Sequence, residues 1–242
     1  MLVAVVSDIH GNLDSLQAVL ADLPSVDEVW CLGDIVGYGP NPNECVETIL
    51  SLKHLSLAGN HDWAAVGKIS TADFNPDARR AAEWTAGQLT PAYREVLRNL
   101  PTELVVGDFT LAHGSPREPV WEYILATGQA LANFDHFATP YCLVGHTHVP
   151  AVFLGPSASE RPALLRPSYE VPLRLGERRL IANPGSVGQP RDGDPRAAYA
   201  LLDLSALTLS FRRVDYDIKA VQQKMQRAGL PNSLWMRLSY GW

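Results

Sequence analysis

Residues 2–6, LVAVV, form a short run with no polar position, and two further strand-like runs, EVWCLG and HLSLA, follow within the first 60 residues. Each run is followed by polar residues, and helical patterns separate the runs. A strand that shows no polar/apolar alternation is covered on both faces, as in parallel sheets built from strand–helix–strand units. After SDIHG, Asn12 can cap a helix over about 13–22, where Leu13, Leu16, Val19 and Leu20 recur at helical spacing. EVWCLG then reads as a second strand ending at Asp34, and Asn41-Pro42 starts a helix through Leu50. HLSLA is a third strand, closed by Gly59-Asn60-His61-Asp62. The opening therefore reads as strand–helix–strand units, with its first strand covered on both faces.

The texture changes later. Residues 64–100 read as mainly helical, with starts at Asn75-Pro76 and Thr90-Pro91. TELVV, Gly107-Asp108 and FTLAH read as a hairpin ending at His113. A helix near 127–137 precedes the strand YCLVG, after which short strands follow near 151–154, 171–175, 178–182, 197–203 and 207–214. The segment 155–170 reads as a flexible loop, and a last helix over about 217–228 precedes an apolar tail. No repeat or linker interrupts the chain, so one domain over residues 1–242 is expected, α/β in its first half and β-rich in its second.

Polar residues collect at the ends of these strands: Asp8, His10, Asp34, Asn60, His61, His113, His146 and His148. Five of the 7 histidines are among them. Ligands of open α/β proteins gather at the carboxyl ends of strands, where the loops converge. Neutral imidazoles with carboxylates suit first-row ions such as manganese, iron, zinc or nickel, whereas magnesium and calcium prefer oxygen alone. The set is large enough for two ions, and one carboxylate can bridge a pair about 3.5–4 Å apart.

Bulk properties narrow the function further. A formal net charge of −6 argues against a nucleic-acid-binding surface, which needs a basic stripe. It leaves room for a small phosphate ester, because bound cations reverse the local sign. Three cysteines without a CxxC pair give neither a disulfide framework nor a thiolate zinc site. The opening MLVAVVSD lacks a basic leader, and no apolar run reaches the roughly 20 residues of a membrane span. A cytoplasmic protein is expected, and its oligomeric state is open.

In order, SDIHGN, CLGDIVGYGPNP, LAGNHD, HGSP, VGHTHVP and NPGSVGQP resemble the motifs of the calcineurin-like metallophosphoesterase superfamily, over residues 3 to about 200. The resemblance is strongest to its small bacterial and archaeal phosphodiesterase branch. It implies a four-layer αββα sandwich of two mixed sheets flanked by helices. It also implies that Asp8, His10 and His148 hold one divalent ion and Asn60, His113 and His146 a second, with Asp34 bridging. Manganese is the ion expected to support activity. His61 is the non-ligand histidine facing the leaving group, and Asp62 supports the loop. The implied reaction is phosphoester hydrolysis by in-line attack of a metal-bridging hydroxide.

Protein phosphatases of this superfamily place arginines where this chain has Tyr38 and Ala58, beside Gly37. Those arginines grip a dianionic monoester with paired donors, so their absence favours a phosphodiester. Arg117 and Arg191 remain as candidate substrate contacts, with a solvated surface position as the alternative for each. A phosphomonoesterase, a dinucleoside polyphosphate hydrolase and a non-catalytic scaffold are the competing readings. A scaffold would be expected to have lost donor positions that this chain keeps.

Overall fold

A computed structural model describes residues 1–157 and 160–242. Its twelve strands are β1 (Leu2–Val6), β2 (Glu28–Cys31), β3 (His54–Ser56), β4 (Glu103–Val106), β5 (Phe109–Ala112), β6 (Tyr141–Leu143), β7 (Ala151–Leu154), β8 (Ala163–Leu165), β9 (Leu173–Arg174), β10 (Leu180–Asn183), β11 (Ala197–Asp203) and β12 (Thr208–Val214). The helices are α1 (Leu13–Asp22), α2 (Pro42–Leu50), α3 (Asn60–Ala65), α4 (Pro76–Gln88), α5 (Pro91–Asn99), α6 (Thr127–Asn133), α7 (Ile218–Arg227) and α8 (Asn232–Met236). One six-stranded sheet runs β3-β2-β1-β11-β12-β9 and the other β4-β5-β6-β10-β7-β8. Both are mixed. β1, β2 and β3 are parallel in the first, as are β5, β6 and β10 in the second.

Alternation along β1 explains the layering. Val3 and Val5 join Trp30, Leu57, Phe109, Leu111 and Leu143 in a core between the two sheets. Ala4 and Val6 face the other way, into a core with Leu16 and Val19 of α1 and Val46 and Ile49 of α2. Beyond the second sheet, Cys142, Phe153 and Ile181 pack against Ala130 and Phe134. The order is therefore helices, sheet, sheet, helix, the α/β sandwich that the motifs imply. Successive strand residues point to opposite faces, so a run such as LVAVV must be apolar throughout to serve two cores at once.

Several boundaries differ from the sequence reading. The region 155–170 is not simply a loop: β8 pairs antiparallel with β7, and Tyr169 bridges to Phe211. Ala158 and Ser159 of that expected loop lie outside the described residues. The tail folds back as α8 and a 3-10 turn, burying Leu234 and Leu238 against Ala78 and Ala81 of α4 and Met225 of α7. α6 stops at Asn133, and a short helix, α3, begins at Asn60 itself. Among the described residues no helix is long and apolar enough to cross a membrane.

Candidate metal centre

The carboxyl ends of the parallel strands of both sheets meet at one place. Asp8 follows β1, Asp34 follows β2, Asn60 heads α3 after β3, His113 follows β5, and His146 and His148 follow β6. All six are buried, as is His10. The backbone there is unusual: Asp8 (φ 54°), His10 (51°), Asp34 (53°), His146 (65°) and His148 (61°) occupy the left-handed region. A non-glycine residue held in a sparsely populated region costs of order 1–3 kcal/mol and persists only where its surroundings over-determine it. Here they do. Asp8 donates its N–H to Gly33 O (3.0 Å), His10 to Asp34 O (2.9 Å), and His146 to Asp8 Oδ2 (3.0 Å). At Gly145 a Cβ would overlap Ser7 Oγ and reach Asp8 Oδ2 at 3.0 Å, so only glycine lets the β6 loop come this close.

Each of the four strand-end imidazoles is oriented by a backbone carbonyl. Nδ1 of His10, His113 and His148 donates to Val36 O (3.3 Å), Leu32 O (2.8 Å) and Gln189 O (2.5 Å). His146 is turned the other way, with Nε2 donating to Trp121 O at 3.2 Å. That leaves Nε2 of three rings and Nδ1 of the fourth, none of them engaged by a carbonyl, turned toward the carboxylates, the orientation a ligating histidine needs. His148 Nε2 lies 3.3 Å from Asp8 Oδ1, and His113 Nε2 lies 3.3 Å from Asp34 Oδ2. Asp34 Oδ2 is also 3.7 Å from His10 Nε2, which places it between the two groups.

Ring nitrogens face each other at 3.0 Å (His10 and His148) and 3.2 Å (His113 and His146). Two such lone pairs repel unless positive charge lies between them. The oxygens around them ask for the same charge: the carboxylate atoms Asp8 Oδ1 and Asp34 Oδ2 and the amide atom Asn60 Oδ1 are buried without a hydrogen-bond partner. A proton is the nearest substitute. Burial works against it at His113, but Asp34 outweighs burial and raises that imidazole to about 9. Burial alone would raise both carboxylates, yet His148 holds Asp8, and His113 holds Asp34, far below the usual range. Burial together with His113 drives His146 down to about 3. Two groups of donors that could each hold an ion result, Asp8–His10–His148 and Asp34–His113–His146. Imidazoles, carboxylates and one amide oxygen fit a pair of first-row divalent cations.

The profile described as "Calcineurin-like phosphoesterase superfamily domain" matches residues 1–207. The chain belongs to that superfamily. A metallophosphoesterase from Sphaerobacter thermophilus is similar at 48% identity, with a TM-score of 0.92 over 100% of this chain and 99% of that one. An uncharacterized protein of Methanocaldococcus jannaschii is 39% identical over 249 residues, covering 99% of this chain and 98% of the relative. A symmetrical bis(5'-nucleosyl)-tetraphosphatase of Pseudomonas putida is 30% identical over 112 residues, 39% of each protein.

The rest of the candidate site is aromatic and basic. His61 packs beside Tyr38 (ring centroids 4.3 Å apart), Phe74 (4.8 Å) and His10 (5.0 Å). Its backbone N–H donates to Asp34 Oδ1 at 2.8 Å, while its ring Nδ1 is buried without a partner. Burial lowers its pKa to about 4, against the pull of Asp34. Asp62 turns away and accepts the N–H groups of Val36 and Gly59, both at 3.0 Å, as expected of a residue that supports the loop.

Of the two candidate arginines, Arg117 is tied to Glu122, which also accepts from Ser115 and Asn133. Arg191 lies by the site, bonded to Gln189 Oε1 (2.9 Å), its guanidinium carbon 5.8 Å from the Tyr38 ring centroid. Sequence reasoning missed Tyr123, which stacks on His146 at 3.9 Å, and Trp121, which lends it a carbonyl. It also missed Arg237 in the tail, whose pKa is lowered by burial and by the nearby Arg191 charge. The aromatic spacing Trp121-x-Tyr123 eight to ten residues after His113 was the one available signal.

Proposed function

We propose that this chain is a two-metal phosphodiesterase, with Asp8, His10 and His148 holding one ion, Asn60, His113 and His146 the other, and Asp34 shared. The observation that carries the reading is the set of four imidazoles, each fixed by a carbonyl and turned toward unpartnered carboxylate oxygens. Two divalent cations, manganese foremost, would supply charge neutralisation at the phosphate and a lowered pKa for bound water. The chain does the rest. Arg191 meets a phosphate oxygen from the Tyr38 side, and the rings of Tyr38 and Phe74 confine His61 and exclude water around it. Burial lowers the His61 pKa to about 4, so its protonated form depends on the negative charge of the bound phosphate, and in that form it hands a proton to the departing oxygen. Three buried free cysteines suit a reducing cytoplasm.

Diesters are favoured because the clamp positions hold Gly37, Tyr38 and Ala58, and the Tyr38 ring fills the space beside His10 and His61. A second reading, hydrolysis of a dinucleoside polyphosphate, is supported by the relative named for that activity and by Arg191 and Arg237. Arg191 bonds the neutral Gln189 side chain, whereas Arg237 donates to the Trp242 oxygen. With manganese, bis-p-nitrophenyl phosphate should be cleaved with higher kcat/KM than p-nitrophenyl phosphate. A preference for the monoester ends the diesterase reading, and faster cleavage of diadenosine tetraphosphate than of any simple diester installs the second.

A further inference from the structure

Beside the metal centre a cleft of about 510 Å³ is walled by Val149, Pro150, Phe153, Leu164 and Tyr169, with Thr147 and Arg191 at its inner end. Thr147 stands between His146 and His148, so the cleft and the centre share a wall. We propose that this cleft is the subsite for the organic group a phosphodiester substrate retains, a flat apolar or aromatic moiety of nucleoside size. The proposal rests on the phosphodiesterase reading and deepens it.

Three observations converge. The volume lies in the roughly 300–1,000 Å³ range of small-molecule sites, and apolar residues predominate in the lining, with Thr147, Arg166, Arg191, Asp192 and Asp194 as its polar and charged groups. Arg191 joins the cleft to the centre: it lines the cleft and also lies against Tyr38, where a phosphate held by the metals would present its free oxygen. The acids on the cleft wall do not oppose an anion. Asp192 is paired with Arg213, and Asp194 with Arg196. A diester seated with its phosphorus at the metals and its anionic oxygen on Arg191 therefore directs one ester arm into an apolar slot. Leu164, 43% exposed, and Leu125, 58% exposed, both border that slot and belong to none of the core clusters.

The test uses two diesters with the same leaving group, thymidine 5′-p-nitrophenyl phosphate and methyl p-nitrophenyl phosphate, on the manganese-loaded protein. The thymidine ester should show a kcat/KM higher by about tenfold or more, carried by KM, because the cleft buries an aromatic base that the methyl ester lacks. Leu164→Trp, which fills the slot from an exposed position, should remove that advantage and leave the methyl ester within about twofold. Leu125→Trp, at a second exposed lining position, should repeat the effect. Arg191→Ala, by contrast, should weaken both esters alike. Equal kcat/KM for the two esters in the unaltered protein, or equal losses on both in the tryptophan variants, overturns the subsite. If neither ester is cleaved, the diesterase reading fails by itself. The subsite then stands or falls on calorimetric titration of the manganese-loaded protein with thymidine 5′-monophosphate. Binding that Leu164→Trp weakens by about tenfold or more supports the subsite, and binding that is absent or indifferent to the variant removes it.

Discussion

Asp8, His10 and His148 form one donor group and Asp34, His113 and His146 the other, and the two are supported differently. In the first group all three residues have left-handed backbone, and both imidazoles donate to carbonyls of buried segments, Val36 and Gln189. In the second, His113 is anchored just as deeply through Leu32 O, but His146 depends on the rim. Its carbonyl partner is Trp121 and its stacking partner is Tyr123, side chains 39% and 41% exposed on a segment without regular structure. The same residue types thus make a group locked into the core and a group leaning on a surface loop. Losing such an outer partner typically costs a metal site about 10–100-fold in affinity. The first group should therefore hold its ion more tightly, and the second should exchange.

The largest effect should come from the residue the two groups share. Asp34→Asn keeps the shape but removes the charge placed between His10 and His113. Both ions should be held less well, and kcat/KM should fall by about 10³ or more, since metal catalysis contributes several kcal/mol. Metal analysis after gel filtration, alongside kinetics, checks this. Loss of only one ion would mean that the two groups act independently.

His61→Ala should leave both ions in place. General-acid help is worth about 10²–10⁴-fold, so the variant should lose most on an alkyl diester and little on an activated aryl diester, compared at equal metal content. Equal losses on the two would reassign His61 to a steadying role.

A smaller effect separates the groups directly. Aromatic stacking contributes about 0.5–1.5 kcal/mol, so Tyr123→Ala should weaken one ion by about three- to tenfold and leave the other alone. Competition with a chelator, followed as two steps, reads this out. Movement of both steps would erase the distinction between locked and leaning groups.

The smallest effect concerns the loop beneath Tyr123. Hydrogen bonds from Arg117, helped by those from Asn133 and Ser115, lower the Glu122 pKa from 4.5 to about 2. A carboxylate depressed in the folded state contributes stability that is complete above pH 4.5 and is lost as the pH falls toward 2. Glu122→Gln should remove that contribution, about 1 kcal/mol or less once solvent screening is allowed for, and flatten the acid limb of the stability curve in that window. An unchanged acid limb would show that the loop is held by other contacts.

Much of this centre was legible in one dimension. Strand runs apolar on both faces, turn residues after them, and carboxylate, imidazole or amide at each strand end are local properties, and local sequence carries them. Asn12, Asn75 and Thr90 cap their helices as read, each accepting a backbone N–H three residues on. The reading faltered where apolar content was high but its partner lay far away. The segment 163–165 gains strand character only by pairing with β7, and the tail becomes helical cover only because α4 and α7 leave an apolar face for Leu234 and Leu238.

What the sequence determined by itself is the inventory: which donors exist, and that each follows a strand. The tertiary structure decided which nitrogen of each imidazole faces inward, that five of the donor residues take left-handed backbone, and that Tyr38, Trp121, Tyr123, Arg191 and Arg237 gather around them. The physical reason is that these properties belong to pairs of segments distant in the chain. A ring is oriented by whichever carbonyl the opposing loop presents, and a strained φ survives only where hydrogen bonds from several loops outweigh its cost. That placement is set by how two sheets bury their apolar faces against each other.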